Sequence, residues 1–281
     1  MRIGISPGDF TCFGEARYSV LREAGFDCVD FSMADTESGL YLLTGDQLDR
    51  AIAHERKLAQ EAGIEIAQVH GPWRWPSRDV TAEDREERLE KMIRSIRMTA
   101  KLGCKHWVVH PIMPFGIEEL GSELAPRTYE MNIEFMRKLL AVAHEEGVMI
   151  CLENMPMPLF SLGSVQAILD FVQKIDDPNL RICLDTGHVS VFPLHSVGDE
   201  VRKLKGKVCV LHVHDNSGRG DEHLPPRAGI IDWDDFVRGL REIGYDGVFS
   251  LEPSYRAAQT PAEKQDYYVA LASLASDLLK K

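Results

Sequence analysis

Six successive strands predicted from the sequence each end in a histidine or a carboxylate. These strand-ending residues are His70, His110, Glu153, Asp185, His212 and Glu252. In parallel α/β folds the carboxyl ends of the strands meet on one face, where catalytic side chains are found. Three carboxylates crowded on one face would repel one another, and a bound cation removes that cost. The pattern therefore predicts a divalent metal site rather than six independent turn or packing residues.

The smallest ligand set comprises Glu153, Asp185, His212 and Glu252. It offers three oxygen donors and one nitrogen donor but no sulfur, which suits Mn²⁺, Mg²⁺, Co²⁺ or Zn²⁺. The sequence predicts one such ion and does not choose among the four metals. Five further residues could serve either as additional metal ligands or as substrate contacts, and their types leave both roles open. They are His70, His110, His188, Asp221 and His223.

Loop residues beyond the strands offer candidate contacts for a substrate. Trp73 and Trp75 follow the third strand, and aromatic rings can cover the apolar face of a sugar, although loop aromatics also serve local packing. Arg219 follows the seventh strand, where barrels often bind phosphate, so it could pair with an anionic substrate or lie solvated. His214 is predicted to lie past the end of that strand, as a substrate contact at best. The predicted substrate-binding residues are Trp73, Trp75, His188 and Arg219.

A recurring pattern supplies the elements that would position these residues: a helical segment, a glycine and then a short apolar strand. A glycine that ends a helix in the left-handed conformation explains the pattern, and apolar runs bounded in this way are typical of buried parallel strands. The six glycines are Gly25, Gly63, Gly103, Gly147, Gly206 and Gly244. With two strands that lack the glycine, the predicted strands are residues 2–6, 28–31, 64–69, 106–109, 148–152, 180–184, 208–211 and 248–251.

The segments between the strands carry apolar residues at helical spacing. Strands alternating with helices predict an α/β fold in which a single (β/α)8 TIM barrel occupies residues 1–281 as one domain. A doubly wound open sheet is the alternative, but no Gly-x-Gly-x-x-Gly sequence follows the first strand, so its dinucleotide-binding form has little support. The length agrees with one barrel, because such domains often reach about 250 residues.

Composition narrows the classes of partner. The 281 residues include 44 acidic and 32 basic side chains, which gives a formal net charge of −12. Nucleic-acid binding usually needs a basic surface, so this charge disfavours nucleic acid and favours a small-molecule partner. The six cysteines form no Cys-x-x-Cys pair, which argues against a thiolate zinc site and fits a reducing cytoplasm. The sequence shows no signal peptide and no membrane-length apolar run, so we expect a cytoplasmic protein, either a monomer or a homo-oligomer.

Several strand ends carry short motifs that resemble those of one family. They are Leu-Glu-Asn at 152–154, Leu-Asp-Thr-Gly-His at 184–188, His-Val-His-Asp at 212–215 and Leu-Glu-Pro at 251–253, together with the stretch 221–233. With these motifs the chain resembles the xylose isomerase-like TIM barrels. That superfamily includes sugar-phosphate isomerases and epimerases, ketose 3-epimerases and endonuclease IV-type repair enzymes. The resemblance extends from Ile3 to about Glu252, which is nearly the whole chain.

The resemblance implies a role for each residue of the ligand set. It implies that Glu153, Asp185, His212 and Glu252 bind one Mn-type ion, that the two glutamates also move the proton, and that His188 binds substrate. A metal that polarises a carbonyl stabilises the enediolate left by proton removal, and carboxylates on opposite faces of the substrate can act as base and acid. We therefore predict a metal-dependent sugar or sugar-phosphate isomerase or epimerase with Glu153 and Glu252 as catalytic residues.

The chain departs from the patterns of two enzyme groups in the family and matches the metal ligands of a third. Other activities than a sugar isomerase or epimerase are therefore also considered. Ketose 3-epimerases carry a second glutamate six residues beyond the first, where this chain has Leu159, and the Lys-Pro-Glu strand end of xylose isomerases is missing. Endonuclease IV-type enzymes bind three Zn²⁺ ions through nine ligands, whose types match the four ligands and five further residues above. Against this metallophosphodiesterase stand the net charge and the lack of a Tyr-x-x-Asn-type segment. A lyase or dehydratase on the same metal site, or a metal-binding protein without turnover, is the third hypothesis.

Overall fold

The fold is built on eight parallel strands that close on themselves. A computed structural model describes residues 1–37, 39–73, 79–255, 258 and 260–280. The strands are β1 (Arg2–Ile5), β2 (Cys28–Ser32), β3 (Glu65–His70), β4 (His106–Val109), β5 (Met149–Glu153), β6 (Leu180–Asp185), β7 (Val208–His212) and β8 (Val248–Leu251). They pair in the order β7-β6-β5-β4-β3-β2-β1-β8. Val213 joins the two ends of this sheet, because its N–H donates to Ser250 O at 2.8 Å and its carbonyl accepts the N–H of Glu252 at 3.0 Å.

Nine α-helices among the described residues alternate with the strands. They are α1 (Arg17–Ala24), α2 (Gly45–Ala62), α3 (Ala82–Lys101), α4 (Ala125–Glu146), α5 (Val165–Ile175), α6 (Thr186–Ser190), α7 (Val197–Lys203), α8 (Trp233–Glu242) and α9 (Pro261–Lys280). Short 3₁₀ helices, Thr11–Ala16 and Gly39–Leu42, follow β1 and β2. No helix among these described residues combines the length and the apolar composition that a membrane crossing requires.

Strand order and closure decide the fold class. Consecutive strands are neighbours throughout, and the first strand pairs with the last. This arrangement confirms the prediction of a single (β/α)8 barrel and excludes the open, doubly wound sheet. Every predicted strand is present, with its ends shifted by no more than one residue.

The glycines that precede strands lie in the turns after the preceding helices. Gly25, Gly63 and Gly147 directly end their helices as predicted, whereas the helices before the other three glycines end one or two residues earlier. All six predicted glycines have positive φ angles, between 67° and 110°. At the end of α2, the N–H of Gly63 donates to Gln60 O, and the N–H of Ile64 donates to Ala59 O. A residue with a Cβ atom would be strained in this left-handed conformation. Each such turn fixes where the next strand begins, and it thereby sets which residue stands at the strand's far end.

The barrel interior changes from apolar to polar along the strands. Val108, Cys151, Cys183 and Val210 pack together in a cluster separate from the large core between strands and helices. Because successive strand residues point to opposite faces, the residues two positions further along the chain point into the barrel as well. Those residues are His110, Glu153, Asp185 and His212. The candidate site residues therefore stand above an apolar floor.

Most cysteines behave as small buried apolar residues. All six are free, and burial raises the pKa of the Cys28 and Cys104 thiols to about 12. Cys209, at the amino end of β7, differs from them. Hydrogen bonding to the Cys151 thiol and to the His106 ring, against the opposing effect of burial, lowers the pKa of Cys209 to about 5. This cysteine lies at the opposite end of β7 from the candidate metal ligand His212.

Candidate metal centre

Four strand ends bring the predicted ligand set together at the carboxyl end of the barrel. One ligand atom each from Glu153, Asp185, His212 and Glu252 lies within 4.8 Å of the others. Glu153, Asp185 and His212 are almost completely buried, whereas Glu252 is partly exposed. Three oxygen donors and one nitrogen donor at this spacing suit a hard or borderline divalent cation.

Asp185 is held by the turn that follows β6. Its Oδ1 accepts the backbone N–H of His188 at 2.7 Å and so caps the N-terminus of α6. Asn154, the residue after Glu153, accepts the N–H of Asp185 at 2.9 Å and donates to its carbonyl at 3.1 Å. The Leu-Glu-Asn and Leu-Asp-Thr-Gly-His motifs are therefore parts of one hydrogen-bonded unit that joins the ends of β5 and β6.

His214 holds the second oxygen of Asp185. Its Nε2 lies 3.0 Å from Oδ2 of Asp185, and the residue is fully buried. Thr186 fixes the backbone of His214, because Oγ1 donates to its carbonyl at 2.7 Å and accepts its N–H at 3.0 Å. The sequence interpretation made His214 a substrate contact at best, but the structure makes it a buried partner of Asp185. Its two-residue spacing from His212 was the available signal, because strand alternation points both residues inward.

Gly187 leaves the room that the His214 ring occupies. A Cβ atom at position 187 would lie 1.9 Å from Cε1 of His214. We expect Gly187→Ala to displace the ring, loosen Asp185 and lower the free energy of unfolding by about 1–3 kcal/mol, measured by urea denaturation. Gly220→Ala is the matched control, because a Cβ atom there would meet no atom within 4 Å. Equal unfolding free energies for the two variants would contradict this expectation.

Histidines surround Glu153. Its Oε1 lies 2.9 Å from Nδ1 of His212, and its Oε2 lies 3.0 Å from Nε2 of His110. His70 is slightly further away, with Nε2 at 3.7 Å from the same Oε2, and it forms a ligand group of its own with Glu153 and His212. Burial alone would raise the pKa of Glu153, but the charge of His212 and the hydrogen bonds from His110 and His212 hold it well below its usual value. The surrounding histidines therefore favour the charged form of Glu153.

The remaining candidates form a second group beside the first. His188, His214, Asp221 and His223 each place one ligand atom within 4.8 Å of the others. Oδ2 of Asp221 lies 3.3 Å from Nε2 of His188 and 3.2 Å from Nε2 of His223. Burial would lower the pKa of both histidines, but the neighbouring carboxylates raise it to about 10. The carboxylate and the imidazoles of this second group thus compensate one another's charge.

A cavity of about 330 Å³ opens above both groups. Metal-ligand candidates line it together with the apolar residues Trp73, Ile117, Met155 and Met157. Among the predicted substrate contacts, His188 and Trp73 reach this cavity.

The other two predicted substrate contacts differ in what the structure says of them. Arg219 is exposed and is not among the residues that line it. Trp75 lies outside the described residues. The described part of the cavity wall therefore offers carboxylates, imidazoles and apolar groups to a ligand.

Comparison with known proteins identifies the family. The profile of the family described as xylose isomerase-like TIM barrel matches residues 18–275. The chain belongs to this family. An uncharacterised protein of Methanocaldococcus jannaschii is 32% identical over 209 residues, which cover 72% of this chain and 68% of that protein.

Two curated sugar epimerases are also relatives. L-ribulose-5-phosphate 3-epimerase UlaE of Salmonella heidelberg is 22% identical over 248 residues, 88% of this chain and 84% of that enzyme. D-psicose 3-epimerase of Ruminiclostridium cellulolyticum is 30% identical over 133 residues, 47% of this chain and 43% of that enzyme. The family that the strand-end motifs indicated is thus confirmed, and it contains sugar epimerases.

Solved structures repeat the fold over the whole chain. A D-tagatose 3-epimerase-like protein superposes with a TM-score of 0.76 at 25% identity, covering 100% of this chain and 97% of the other. D-psicose 3-epimerase from Clostridium cellulolyticum H10, solved with D-tagatose, gives a TM-score of 0.78 at 20% identity over 99% of each chain. These matches confirm the xylose isomerase-like barrel.

The segment that follows β5 supplies part of the cavity lining and so would contact a bound ligand. Leu159, at the position where the sequence lacks a second glutamate, is 56% exposed and outside the cavity lining. Its carbonyl accepts the N–H of Leu120 at 2.8 Å. Met155 and Met157 line the cavity in this region instead. A ligand would therefore meet an apolar surface on this side.

Proposed function

We propose that the chain is a divalent-metal-dependent isomerase or epimerase of a sugar or sugar phosphate. The observation that carries this proposal is that Glu153 and Glu252 belong to one ligand group and line the same cavity of about 330 Å³. Small-molecule cavities have volumes of about 300–1,000 Å³, so this one is of the size for a single small ligand. The sugar epimerases among the relatives support the substrate class.

The donor set fits a divalent cation. Glu153, Asp185 and Glu252 bring three carboxyl groups into one small volume, and histidines compensate their charge. A cation held by these residues and by His212 would compensate the charge directly. When bound, such an ion supplies Lewis-acid stabilisation of the negative charge that develops on a carbonyl oxygen during proton removal. Mn²⁺ is the ion to test first, with Mg²⁺, Co²⁺ and Zn²⁺ as the alternatives.

Glu153 and Glu252 would transfer the proton. Glu153 ends β5 and Glu252 directly follows β8, so the two carboxyl groups approach the cavity from well-separated strands. Glu153 would accept a proton from the carbon beside a carbonyl in its ionised form, which the neighbouring imidazoles of His212 and His110 favour. Glu252 is partly exposed, so it could take up a proton from solvent and deliver it to the other face of that carbon or to the neighbouring carbon. Delivery to the other face of the same carbon is epimerisation, and delivery to the neighbouring carbon is isomerisation.

The cavity wall offers contacts for the rest of the sugar. The imidazole of His188 lies beside the ligand group, with Nδ1 3.6 Å from Oε1 of Glu153, and it could donate to a hydroxyl group. Trp73, whose ring lies 5.4 Å from that of His110, is 38% exposed and could cover an apolar sugar face. We also propose a cytoplasmic location, because six free cysteines suit a reducing compartment.

Solvent hydrogen exchange tests this proposal. The Mn²⁺-loaded protein is incubated in D₂O with a panel of ketoses, aldoses and their phosphates, and products are analysed by NMR and mass spectrometry. We expect one substrate to gain a single deuterium at the carbon beside its carbonyl and to form an epimer or isomer. A product formed with loss of water, or an isomer free of solvent deuterium, would contradict the proposal.

The two neighbouring ligand groups favour a second candidate, a phosphodiesterase of the endonuclease IV type. The observation is that eight of the nine residues whose types match that enzyme's ligands fall within three ligand groups, and the ninth, His110, lies 3.0 Å from Glu153. The eight are His70, Glu153, Asp185, His188, His212, Asp221, His223 and Glu252. This candidate requires about three Zn²⁺ ions per chain and cleavage of abasic DNA. One ion per chain and intact abasic DNA would exclude it. The net charge of −12 favours the sugar reaction.

A further inference from the structure

A buried carboxylate lies behind His212, on the side away from the other ligand candidates. Asp30 of β2 is 1% exposed, and its Oδ2 lies 3.0 Å from Nε2 of His212. Gln68 of β3 donates from Nε2 to the same oxygen at 3.0 Å, and also to the carbonyl of Leu211 at 3.3 Å. Asp30 thus connects β2 and β3 to the ligand at the end of β7.

The two ring nitrogens of His212 face different partners. Nδ1 lies 2.9 Å from Oε1 of Glu153 and 3.4 Å from Oε2 of Glu252, which is the side of the ligand group. Nε2 lies 3.0 Å from Oδ2 of Asp30, but its direction is not aligned for a hydrogen bond to that oxygen or to any other described residue. A neutral imidazole can present a lone pair on Nδ1 only if Nε2 carries the proton. A carboxylate beside Nε2 favours that tautomer.

Local backbone geometry aims Asp30 and Gln68 at each other. Val29 of β2 pairs with Ile66 of β3, but the next residue, Asp30, pairs with Gln68. Ala67 is therefore an extra residue in β3, which makes a β-bulge. Bulges beside functional sites commonly re-aim a side chain, and this one brings the Gln68 amide within reach of the Asp30 carboxylate.

Burying the Asp30 carboxylate costs free energy, and packing alone does not explain why a charged residue occupies this position. A buried carboxylate is unfavourable unless it is paired and hydrogen-bonded. Oδ1 of Asp30 has no hydrogen-bond partner among the described residues, so its pairing is incomplete. Cys28, two residues earlier on the same strand, occupies the barrel interior with an uncharged side chain. An apolar or amide side chain could fill position 30 without the cost of burying a charge. The contact with His212 therefore accounts for the carboxylate at this position.

We propose that Asp30 is a positioning residue that holds His212 with a proton on Nε2 and the Nδ1 lone pair facing Glu153 and Glu252. Gln68 in turn orients Asp30. Histidine ligands generally donate their second N–H to a carboxylate or a carbonyl, which fixes the ring and raises its basicity. The inference rests on the proposed function only in taking His212 as a metal ligand.

The experiment compares Mn²⁺ binding by the full chain, Asp30→Asn and the matched control Cys28→Ala, using calorimetric titration. Asn keeps the size of Asp30 but removes its charge and can present an N–H to Nε2. We expect Asp30→Asn to bind Mn²⁺ about 10–100-fold more weakly, the loss typical of such supporting residues. Cys28→Ala perturbs the same strand without touching His212, so we expect unchanged affinity.

A second measurement reports the tautomer directly and does not depend on a variant that folds. Selective ¹⁵N labelling of histidine in the Zn²⁺-loaded wild-type protein should show His212 with the proton on Nε2 and the metal on Nδ1. A proton on Nδ1, or equal Mn²⁺ affinities for Asp30→Asn and the wild type, would overturn the role of Asp30. If the wild type binds no divalent ion, the proposed function fails together with this inference. Metal binding without any sugar reaction would leave the Asp30 result standing while the proposed function fails.

Discussion

Replacing Glu153 with glutamine is expected to abolish exchange of substrate hydrogen with solvent deuterium. An amide cannot accept the proton that a carboxylate removes, and loss of a general base typically lowers kcat by about 10²–10⁴-fold. The same change leaves His110 and His212 without the carboxylate that both now contact. The measurement is the loss of the substrate C–H signal in D₂O, followed by proton NMR at saturating Mn²⁺.

Metal loss must be separated from base loss in this variant, because Glu153 is also a ligand candidate. A Mn²⁺ titration of Glu153→Gln gives the concentration at which the ion is bound, and exchange is then measured above it. Glu200→Gln is the matched control: Glu200 of α7 is 3% exposed and contacts His195 and Lys203, away from the cavity. We expect the control to retain exchange. Exchange by Mn²⁺-saturated Glu153→Gln would show that another group moves the proton.

The assembly of the four ligand candidates could be predicted because it depends on two simple regularities. Parallel strands end at one face of a barrel, and side chains alternate along a strand with a period of two. Glu153 and Asp185 each lie two residues beyond a buried cysteine of the barrel interior. Once a glycine turn has fixed the start of β5, the position of Glu153 follows from counting along the strand.

The supporting residues could not be predicted in the same way, because they depend on irregularities of the sheet. Asp30 lies within β2 rather than at its end, and the bulge at Ala67 brings Gln68 beside it. A second register shift, between β6 and β7, makes Cys209 an extra residue and sets Asp185 opposite His212. Neither bulge carries a glycine or proline that would mark it in the sequence.

Loop residues were harder still to assign. Arg219 follows β7 as expected for a phosphate contact, yet its position in the chain does not decide its direction, and the structure leaves it exposed outside the cavity lining. Trp73 reaches the cavity from the loop after β3. Strand alternation gives no rule for such segments, because their course depends on contacts distant in sequence.

The second large effect is expected from metal binding. The net charge of −12 includes three carboxyl groups gathered in one buried ligand group, so a cation that binds there should stabilise the folded chain. At a free Mn²⁺ concentration of about 100 times Kd, linkage predicts about 2.7 kcal/mol of added stability. For a domain of this size that corresponds to a rise in Tm of about 5–10 °C. Differential scanning calorimetry with Mn²⁺ and with EDTA measures the difference.

The control variants decide which residues hold the ion. Asp185→Asn should lose most of the Mn²⁺-induced rise in Tm, whereas His223→Gln, which removes a ligand candidate of the second group and none of the first, should retain it. The rise should also be smaller at pH 5.5 than at pH 7.5, because protons compete with the metal for carboxylate and imidazole ligands.

The same samples give the number of bound ions by elemental analysis. One ion per chain, lost in Asp185→Asn and kept in His223→Gln, places the metal between Glu153 and Glu252, where the proposed proton transfer needs it. Three ions per chain, with loss of binding in both variants, would instead favour the phosphodiesterase.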